Sequence, residues 1–290
     1  MDNSFDVLMV GHFAKDELIV DGKGEISSGG GVYYGSIALR QLGLKVAVAT
    51  RLHADDFPRL GELCRAGVEV FATPAQQTSG IANYYQSHDM ERRVCKLMGF
   101  AGTMSIDEIP ELPVKVIMVS GIIAGEVDLP TLKLLAQRAP LALDVQGFVR
   151  VPEGDDLVFK PWPDMVEGLQ QVTYLKVDRA EAEHLTGETD LYAACQKLAS
   201  YGPKEIILTQ NSGPLVYADG NFFHAPFKPR SLAGRTGRGD TCFSSYIGRR
   251  LSAGPEESTR WAAAVTSLKQ EKPGPWYGPL EEAEALMHQL

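Results

Sequence analysis

Gly-Arg-Thr-Gly-Arg-Gly-Asp-Thr-Cys-Phe, residues 234–243, is the stretch around which the fold of this chain is organised. Two glycines flank Arg238 just before Asp240, and apolar side chains then follow at helical spacing, at Phe243, Tyr246, Ile247 and Leu251. The pattern predicts a glycine loop that opens a helix. Because the first N–H groups of a helix have no partner inside it, the loop is expected to bind an anion, typically a phosphate.

The glycines and the acid of this loop have separate chemical uses. Gly237 and Gly239 let the backbone turn tightly and approach the anion with no Cβ in the way. Asp240 lies beside that anion and could take the proton of an attacking hydroxyl during phosphoryl transfer. The alternative is that Asp240 only caps the helix, since Asp is among the preferred N-cap residues. The stretch alone leaves both interpretations open.

Composition excludes several classes of protein. The 290 residues are enough for one large α/β domain or two smaller ones. The net charge of -9 and the pI near 5.2 argue against a nucleic-acid partner. The four cysteines have no Cys-x-x-Cys spacing, which indicates a reducing compartment and no zinc site. With an acidic start unlike a signal peptide, and no apolar run near the roughly 20 residues of a membrane span, we expect a cytoplasmic protein.

Strand patterns and helix patterns alternate along the chain. Buried strands are predicted at 7–11, 46–50, 114–119, 141–144, 172–177 and 206–209, and helices at 35–43, 55–66, 130–137 and 256–270. This alternation predicts an α/β fold in which helices sandwich a mainly parallel central sheet, in a single domain over residues 1–290. Ligands of such sheets bind beyond the carboxyl ends of the strands.

Two further segments are predicted to form β-hairpins. One lies near residues 17–28 and the other near 80–98, where a polar turn at 87–91 separates two strand patterns. These strands could form one small sheet outside the main fold. The alternative is two unrelated surface hairpins.

The stretch at 234–241 resembles the Asp-Thr-Thr-Gly-Ala-Gly-Asp-Thr signature of the ribokinase-like, or PfkB, family of carbohydrate kinases. The resemblance implies that Asp240 is the catalytic base and that the backbone of Gly237, Arg238 and Gly239 forms the anion hole for the transferred phosphoryl group. In many members the leading Asp helps to hold a monovalent cation. That position is Gly234 here, which makes cation activation doubtful. Arg238 replaces a small residue, and either adds charge to the phosphate site or faces water.

The resemblance also implies a set of substrate-binding residues. Asp16 matches an Asp that binds substrate hydroxyls, the alternative being a surface turn acid. Gly29 and Gly30 match the glycines of an N-terminal signature whose Asn falls on Tyr34, so the pocket is expected to differ from that of ribokinase. Tyr34 is either a substrate contact or a packing residue. Gln146 stands where Asn is common and is expected to form a wall of the site.

ATP and Mg²⁺ are the cofactors that the resemblance implies. Thr209, Asn211 and Gly213 match the Thr-x-Gly-x-x-Gly nucleotide loop, shortened by one residue and with Asn211 in place of the first Gly. The other residues assigned to the nucleotide belong to the glycine stretch and to the C-terminal region that closes over adenine in the family: Thr236, Gly237, Gly239, Ser267 and Gly274.

Asp178 and Glu181 match the family's Asn-x-x-Glu motif, which is tied to magnesium and phosphate. Helical spacing brings the two acids together on a first helical turn, where they would hold the metal through water molecules. The alternative is an acidic helix start that complements the helix dipole.

The two hairpins correspond to the lid that covers the sugar site in the family and often forms a dimer contact. Such a lid would exclude water during transfer. The exposed edges of its strands favour, as a secondary hypothesis, a homodimer formed through the lid.

These observations predict an ATP-dependent kinase that phosphorylates a hydroxyl of a sugar or related polyol. A nucleoside or inositol kinase of the same fold is the alternative, and a nucleoside would need a flat slot from Tyr33, Tyr34 or Tyr85. A regulator that binds nucleotide and does no chemistry is the alternative from another class, motivated by Gly234, although the retention of Asp240 speaks against it.

Overall fold

The computed structural model describes residues 4–86 and 89–290, and within these it describes no side chain of residues 85–94. The centre of the predicted turn at 87–91 and the Tyr85 ring therefore lie outside the described residues.

The strands of the described residues alternate with helices along most of the chain. Numbered in chain order, the strands are β1 (Phe5–Val10), β2 (Ala14–Val20), β3 (Lys23–Gly29), β4 (Val46–His53), β5 (Glu69–Ala75), β6 (Gly80–Gln86), β7 (Asp89–Gly99), β8 (Val114–Val119), β9 (Leu141–Asp144), β10 (Arg150–Glu153), β11 (Asp156–Phe159), β12 (Tyr174–Asp178), β13 (Glu205–Gln210), β14 (Gly213–Ala218) and β15 (Asn221–His224).

The helices are numbered in the same way. They are α1 (Gly31–Gln41), α2 (Gly61–Arg65), α3 (Leu129–Arg138), α4 (Gln146–Val149), α5 (Met165–Leu169), α6 (Arg179–Thr186), α7 (Leu191–Ser200), α8 (Arg238–Arg250), α9 (Pro255–Gln270) and α10 (Leu280–Met287), with 3₁₀ turns at Ala54–Leu60 and Ile106–Glu108. None of the helices in the described residues is both long enough and apolar enough to span a bilayer.

The central sheet has nine strands within the described residues, in the order β15-β14-β13-β12-β9-β8-β1-β4-β5. The seven strands β13, β12, β9, β8, β1, β4 and β5 pair in parallel, each with its neighbour in this order. The hairpin strands β14 and β15 continue the sheet beyond β13 in antiparallel pairing. Parallel strands are buried on both faces, which explains why their sequences are continuous apolar runs. The predicted α/β fold with a parallel central sheet is confirmed.

Each face of the central sheet is covered by its own set of helices. Leu8 and Val10 of β1 belong to one apolar cluster, which includes residues of α3, α5, α6 and α7. Val7 and Met9 belong to a second cluster, which includes residues of α1, α8 and α9. The period-two alternation of a strand sends neighbouring residues to opposite faces, and so one strand contributes to both clusters.

A second sheet of six strands, which we call the lid, has the order β10-β11-β7-β6-β2-β3 within the described residues. The parallel pairing of β2 with β6, for example Glu17 opposite Ala82, joins the two distant hairpins into one sheet, as predicted. Strands β10 and β11 were not predicted. Their segment, Arg150 to Phe159, contains Pro152 and a run of charged residues around Gly154, a composition typical of a loop.

One predicted helix differs from the structure. The segment 55–66 is a 3₁₀ turn over Ala54–Leu60 followed by the short helix α2. Pro58 lies inside the 3₁₀ turn and has no N–H to donate, which prevents a continuous α-helical ladder.

Candidate active site

A cavity lies between the lid and the carboxyl ends of the central strands. Residues from both sheets and from the start of α8 line it: Asp16, Gly30, Tyr34, Ile81, Asn83, Ile122, Gln146, Arg150, Lys176, Asp178, Thr209, Asn211, Arg235, Thr236, Gly237, Arg238, Gly239 and Asp240. The cavity therefore lies where ligands of parallel α/β sheets bind.

Helix α8 begins at this cavity with Gly237 as its N-cap, in a left-handed conformation with φ of 79°. A Cβ on Gly237 would lie 2.4 Å from ring atoms of Tyr34, so glycine is required both for the backbone angle and for the close approach of the ring. Gly237 has no side chain with which to cap α8. Asp240 lies three residues beyond Gly237 and is therefore not the N-cap residue.

The N–H groups at the start of α8 differ in their availability. The Arg238 N–H donates to the carbonyl of Arg235, with an N···O distance of 3.1 Å, so it is engaged in a turn. Within the part of the chain that the structure describes, the next two N–H groups, those of Gly239 and Asp240, donate to no backbone carbonyl. These two groups are the donors that the helix start offers to an anion.

Asp240 is half-buried in the third position of α8. Burial raises the pKa of Asp240 to about 6, the charge of Asp144 adds to the rise, and the cations Lys176 and Lys269 oppose it. A carboxyl with a pKa close to neutrality is suited to accept a proton during a reaction. Gly31 allows its close approach to α1, because a Cβ there would lie 3.3 Å from Asp240 Oδ1.

A buried cluster of one lysine and two carboxylates lies next to α8, and its lysine was not among the residues expected from the sequence. Lys176 Nζ lies 3.1 Å and 3.0 Å from the two carboxylate oxygens of Asp144 and 3.6 Å from Glu181 Oε2. Burial alone would lower the pKa of Lys176, but Asp144, Glu181 and other carboxylates raise it above its ordinary value. The ammonium is therefore a fixed positive charge, about 3.7 Å from where a Cβ of Gly239 would be. The signal available in the sequence was a lysine inside an apolar strand.

Asp178 and Glu181 lie at the start of α6, where they form a capping box. Asp178 Oδ1 accepts from the Glu181 N–H at 2.8 Å, and Glu181 Oε2 accepts from the Asp178 N–H at 2.7 Å. Asp178 lines the cavity, whereas Glu181 is fully buried behind it and its Oε1 has no hydrogen-bond partner among the described residues. Burial raises the pKa of Glu181 to about 7. The helix-start alternative thus describes their local role, and their role toward magnesium stays a prediction.

The predicted substrate residues come together on the lid side of the cavity. Asp16, Gly30, Tyr34 and Gln146 line it, and Asp16 Oδ1 accepts from the Ile81 N–H at 2.9 Å across the lid. Asp16 is therefore not a surface turn acid.

Gly29 does not line the cavity but makes room for Asp16, because a Cβ on Gly29 would lie 2.2 Å from Asp16 Oδ2. Arg150 at the start of β10 lines the cavity and ends the stretch 144–150, which was expected to form a wall of the site. Asn83 on β6 also lines the cavity but was not expected from the sequence, because it belongs to no local motif.

Tyr34 is a packing residue at least as much as a lining residue. Its side chain is 4% exposed, its ring contacts the N-cap glycine of α8, and the ammonium of Lys269 lies 5.2 Å from the ring centroid. Burial raises the pKa of its hydroxyl, with the charges of Asp16 and Asp240 adding to the rise.

The residues assigned to a nucleotide divide into two groups. Thr209, Asn211 and Thr236 line the cavity with the glycines of α8, whereas Gly213, Ser267 and Gly274 do not. Ser267 is fully buried, accepts from the Lys228 N–H at 2.9 Å and donates to the Ala263 carbonyl at 2.6 Å. Because its hydroxyl already makes two hydrogen bonds within the protein, this geometry does not support a contact between Ser267 and adenine. That contact stays a prediction.

Arg238 is half-buried at the rim of the cavity and contacts the turn between β13 and β14. Its guanidinium donates to Asn211 Oδ1 at 3.0 Å and lies 5.9 Å from the centroid of the Phe227 ring. The side chain therefore connects the start of α8 with the turn between β13 and β14, and it adds positive charge there.

These features define a site for phosphoryl transfer to a hydroxyl group. The N–H groups of Gly239 and Asp240 and the cations Lys176, Arg235 and Arg238 offer stabilisation to a phosphoryl group, and the Asp240 carboxylate lies among them. The lid side supplies polar side chains suited to a hydroxylated acceptor.

The comparison with protein families agrees with this chemistry. Residues 8–282 match the pfkB family carbohydrate kinase model, and the chain belongs to that family. It is thus a phosphotransferase with an alcohol group as acceptor, as the sequence analysis predicted. No curated protein sequence matches the chain.

Solved structures of the ribokinase family are similar over nearly the whole chain. A sulfate complex of a pyrophosphate-dependent kinase has 38% identity and a TM-score of 0.89, with 96% of this chain and 99% of that chain covered. A pyrophosphate-dependent kinase with a pyrophosphate analogue and myo-inositol has 36% identity and a TM-score of 0.89, with the same coverage. A ribokinase of Arabidopsis thaliana with ribose and ATP shares the fold, at 19% identity and a TM-score of 0.75, with 98% and 99% covered.

Proposed function

We propose that this kinase transfers a phosphoryl group from inorganic pyrophosphate to a hydroxyl of myo-inositol or a closely related cyclitol. The relatives that are 36–38% identical are described as pyrophosphate-dependent, and one of them is described in complex with myo-inositol. Both descriptions concern those proteins. The assignment of the same donor and acceptor to this chain rests on the residues of its own site.

The chemistry of the donor side is the observation that carries the proposal. The described lining residues on the donor side are all charged, hydroxyl-bearing, amide-bearing or glycine. They are Lys176, Asp178, Thr209, Asn211 and residues 235–239. Adenine is bound in proteins by apolar and aromatic surfaces, and this side offers none to it among the described lining residues. A small, highly charged anion such as pyrophosphate needs only cations and N–H donors.

Arg238 adds a steric argument for the same donor. Its contacts with Asn211 and Phe227 extend it across the region between the β13–β14 turn and α8. In the family resemblance, Asn211 belongs to the nucleotide loop. An arginine held there favours pyrophosphate, which has only a second phosphoryl group beyond the transferred one. It disfavours ATP, whose ribose and base would extend into the space that the arginine occupies.

The acceptor proposal rests on the polar residues beneath the lid. Asp16, Asn83, Gln146 and Arg150 surround the space in front of Asp240, and each can hydrogen-bond to a hydroxyl. The whole cavity, donor side included, has a volume of about 290 Å³, at the lower end of ligand-binding cavities, so the acceptor side suits a single ring better than a nucleoside.

Asn83 is our candidate for the residue that selects the phosphorylated hydroxyl. A 35% identical relative is described as converted from a myo-inositol-1 kinase into a myo-inositol-3 kinase by replacing one asparagine and one serine with leucine. In this chain Asn83 lines the cavity, and its Oδ1 accepts from the thiol of Cys95 on the neighbouring strand, at 3.4 Å. We expect Asn83→Leu to change the regiochemistry.

The proposed reaction assigns one role to each group. Asp240 accepts the proton of the attacking hydroxyl, whose oxygen bonds to one phosphorus of the donor while inorganic phosphate leaves. The Gly239 and Asp240 N–H groups, with Lys176, stabilise the charge on the transferred phosphoryl group. Asp178, whose carboxylate lines the cavity, and Glu181, with its unpartnered Oε1, fit a magnesium ion bound through water, which would neutralise the charge of the donor.

A donor and acceptor matrix tests the proposal. The purified protein would be incubated with Mg²⁺ and either pyrophosphate or ATP, against myo-inositol, ribose, fructose and a nucleoside, with the phosphorylated product followed by ³¹P NMR. We expect turnover with pyrophosphate and myo-inositol, at a kcat/KM at least a hundredfold above that with ATP. Equal or better turnover with ATP would refute the donor assignment and restore the ATP dependence expected from the sequence.

We also propose a homodimer that forms through the outer face of the lid. Ile26, Tyr84 and Met98 are large apolar side chains on lid strands, each 40–43% exposed. Burying such residues together would stabilise a dimer. A monomeric mass in light scattering at micromolar concentration would refute it.

We propose the cytoplasm as the compartment. The four cysteines are free thiols in the structure, which is consistent with a reducing environment. Fractionation of the source cells, with the protein detected by antibody, tests this, and recovery from an oxidising compartment would contradict it.

A further inference from the structure

Lys269 is a buried cation with no assigned role in the proposed reaction. It lies near the end of α9, is 2% exposed and is one of the largest fully buried side chains among the described residues. In the described part of the chain, no carboxylate oxygen lies within the 4.0 Å that defines an ion pair with its ammonium. A buried charge without a paired carboxylate is costly, so it calls for a compensating role.

The ammonium of Lys269 is held against the loop that leads into α8. Its Nζ donates to the carbonyl of Gly234 at 2.5 Å, and it lies 5.2 Å from the centroid of the Tyr34 ring, within cation–π range. The Gly234 N–H in turn donates to the carbonyl of Gln270 at 2.7 Å. Two hydrogen bonds, one to the Gly234 carbonyl and one from the Gly234 N–H, thus connect the beginning of the anion-binding loop with the end of α9.

Glycine at position 234 is required by this arrangement. A Cβ there would lie 1.7 Å from the carbonyl oxygen of Lys272 and 3.0 Å from that of Lys269. No side chain can project from position 234 toward α9. The site therefore has room for the lysine ammonium and none for a carboxylate on residue 234.

We propose that the Lys269 ammonium is a built-in monovalent cation, which holds the loop at residues 234–239 in its anion-binding form and makes the reaction independent of soluble monovalent cations. The ammonium binds a loop carbonyl and an aromatic face, which are the ligands that K⁺ or NH₄⁺ would take. Lys269 is a positioning residue in this proposal, because it acts on the anion hole through the loop.

The electrostatics of the site are consistent with this role. Burial lowers the pKa of Lys269 to about 8, while the charge of Asp240 opposes the fall. The same ammonium lowers the pKa of Asp240, which burial and Asp144 raise. Lys269 is therefore protonated at neutral pH and helps to keep Asp240 ionised as a base.

The test replaces the ammonium and then supplies a cation in solution. In Lys269→Met the side chain keeps its length as far as Cε and loses only the ammonium, so the vacated space matches a small cation. Lys272→Met is the matched control, since Lys272 lies three residues further along and is exposed. Rates would be measured in tetramethylammonium chloride and in K⁺ or NH₄⁺ chloride at constant ionic strength.

We expect the wild type and Lys272→Met to change less than twofold between these salts. Lys269→Met should lose about a hundredfold in kcat, with less than a threefold change in the acceptor KM. The reason is that a small displacement of the anion-hole N–H groups weakens their stabilisation of the transition state. Addition of K⁺ or NH₄⁺ should raise the kcat of Lys269→Met at least tenfold, and the increase should saturate with cation concentration.

A second measurement does not depend on turnover. The melting temperature of Lys269→Met should rise by a few degrees with K⁺ or NH₄⁺ relative to tetramethylammonium, whereas that of the wild type should not. This measurement separates the present proposal, which rests on the kinase site, from the choice of donor and acceptor. A wrong donor would leave the melting result unchanged.

Three results would overturn the proposal. The first is a wild type that K⁺ activates more than fivefold, and the second is a Lys269→Met variant within threefold of wild-type activity without added cation. The third is a folded, inactive variant for which K⁺ and NH₄⁺ change neither the rate nor the melting temperature, which would mean a merely structural lysine. If the methionine variant does not fold, Lys269→Gln takes its place under the same criteria.

Discussion

Replacing Gly237 by alanine tests whether the anion-binding loop depends on the contact between glycine and Tyr34. Gly237 is the N-cap of α8, with φ of 79°, and a Cβ there would lie 2.4 Å from two ring atoms of Tyr34 and 2.6 Å from a third. One of the two atoms at 2.4 Å is Cγ, which lies on the axis of ring rotation, so a rotation of the ring cannot remove the clash. The tyrosine is 4% exposed and has little room to retreat.

The expected loss of stability has two parts. A left-handed backbone costs alanine about 1 kcal/mol relative to glycine. Overpacking against the fixed ring costs roughly 1–3 kcal/mol more. Gly220→Ala is the matched control, because Gly220 has φ of 77° and a Cβ there would meet no heavy atom within 4 Å, so only the backbone part applies. We therefore expect Gly237→Ala to destabilise the protein by about 1–3 kcal/mol more than Gly220→Ala.

The assay is urea denaturation of both single variants, of Tyr34→Ala and of the double variant Gly237→Ala/Tyr34→Ala. Removing the ring removes the clash, so the double variant should be more stable than the sum of the single effects by roughly 1–3 kcal/mol. In kinase assays Gly237→Ala should lose about a hundredfold in kcat, as expected when a hydrogen-bond donor of an anion hole is displaced, while Gly220→Ala should keep its activity. Additivity within about 0.5 kcal/mol would refute the reasoning.

Other predictions follow from single residues of the site. Asp240→Asn should lose at least about a hundredfold in kcat with little change in KM, and a rate within threefold of wild type would exclude Asp240 as the base. The pH profile of kcat/KM should rise through about pH 6, as Asp240 loses its proton and becomes a base, and fall above about pH 8, as Lys269 loses its charge; a flat profile between pH 5 and 9 would contradict both assignments. Lys176→Met should lower the free energy of unfolding by about 3–5 kcal/mol and raise the KM of the donor, because it leaves Asp144 buried without its cation, and a variant as stable as the wild type in urea would argue against a paired cluster. Ser267→Ala should change the donor KM less than twofold and cost about 1 kcal/mol in stability, since it removes two internal hydrogen bonds; a tenfold rise in the KM for ATP would instead support the adenine-wall assignment.

Local patterns in the sequence were sufficient for the architecture. Strands such as Val114–Val119 are continuous apolar runs, and the glycine stretch before α8 has the composition of an anion-binding helix start. Each of these signals lies within a dozen consecutive residues. Asp240 and Asp16 could also be found this way, because each falls within a short motif.

The segment of β10 and β11 was not found because its pairing is not local. Strand β11 pairs with β7, at Asp156 opposite Lys96, and its own sequence has the charge and the proline of a loop. Its strand conformation is stabilised by the neighbouring lid strand and not by its own propensity.

The sequence by itself determined the alternation of strands and helices, the glycine loop and the acid within it, because periodicity and backbone freedom are properties of neighbouring residues. Only the tertiary structure decided which polar groups meet: Lys176 with Asp144, 32 residues apart, Lys269 with the Gly234 carbonyl, 35 residues apart, and Arg238 with Asn211, 27 residues apart. A periodic pattern specifies the face of a strand or helix to which a side chain belongs, but not the partner opposite that face. The parallel sheet brings the ends of distant strands to one edge, and there their polar residues become a single site.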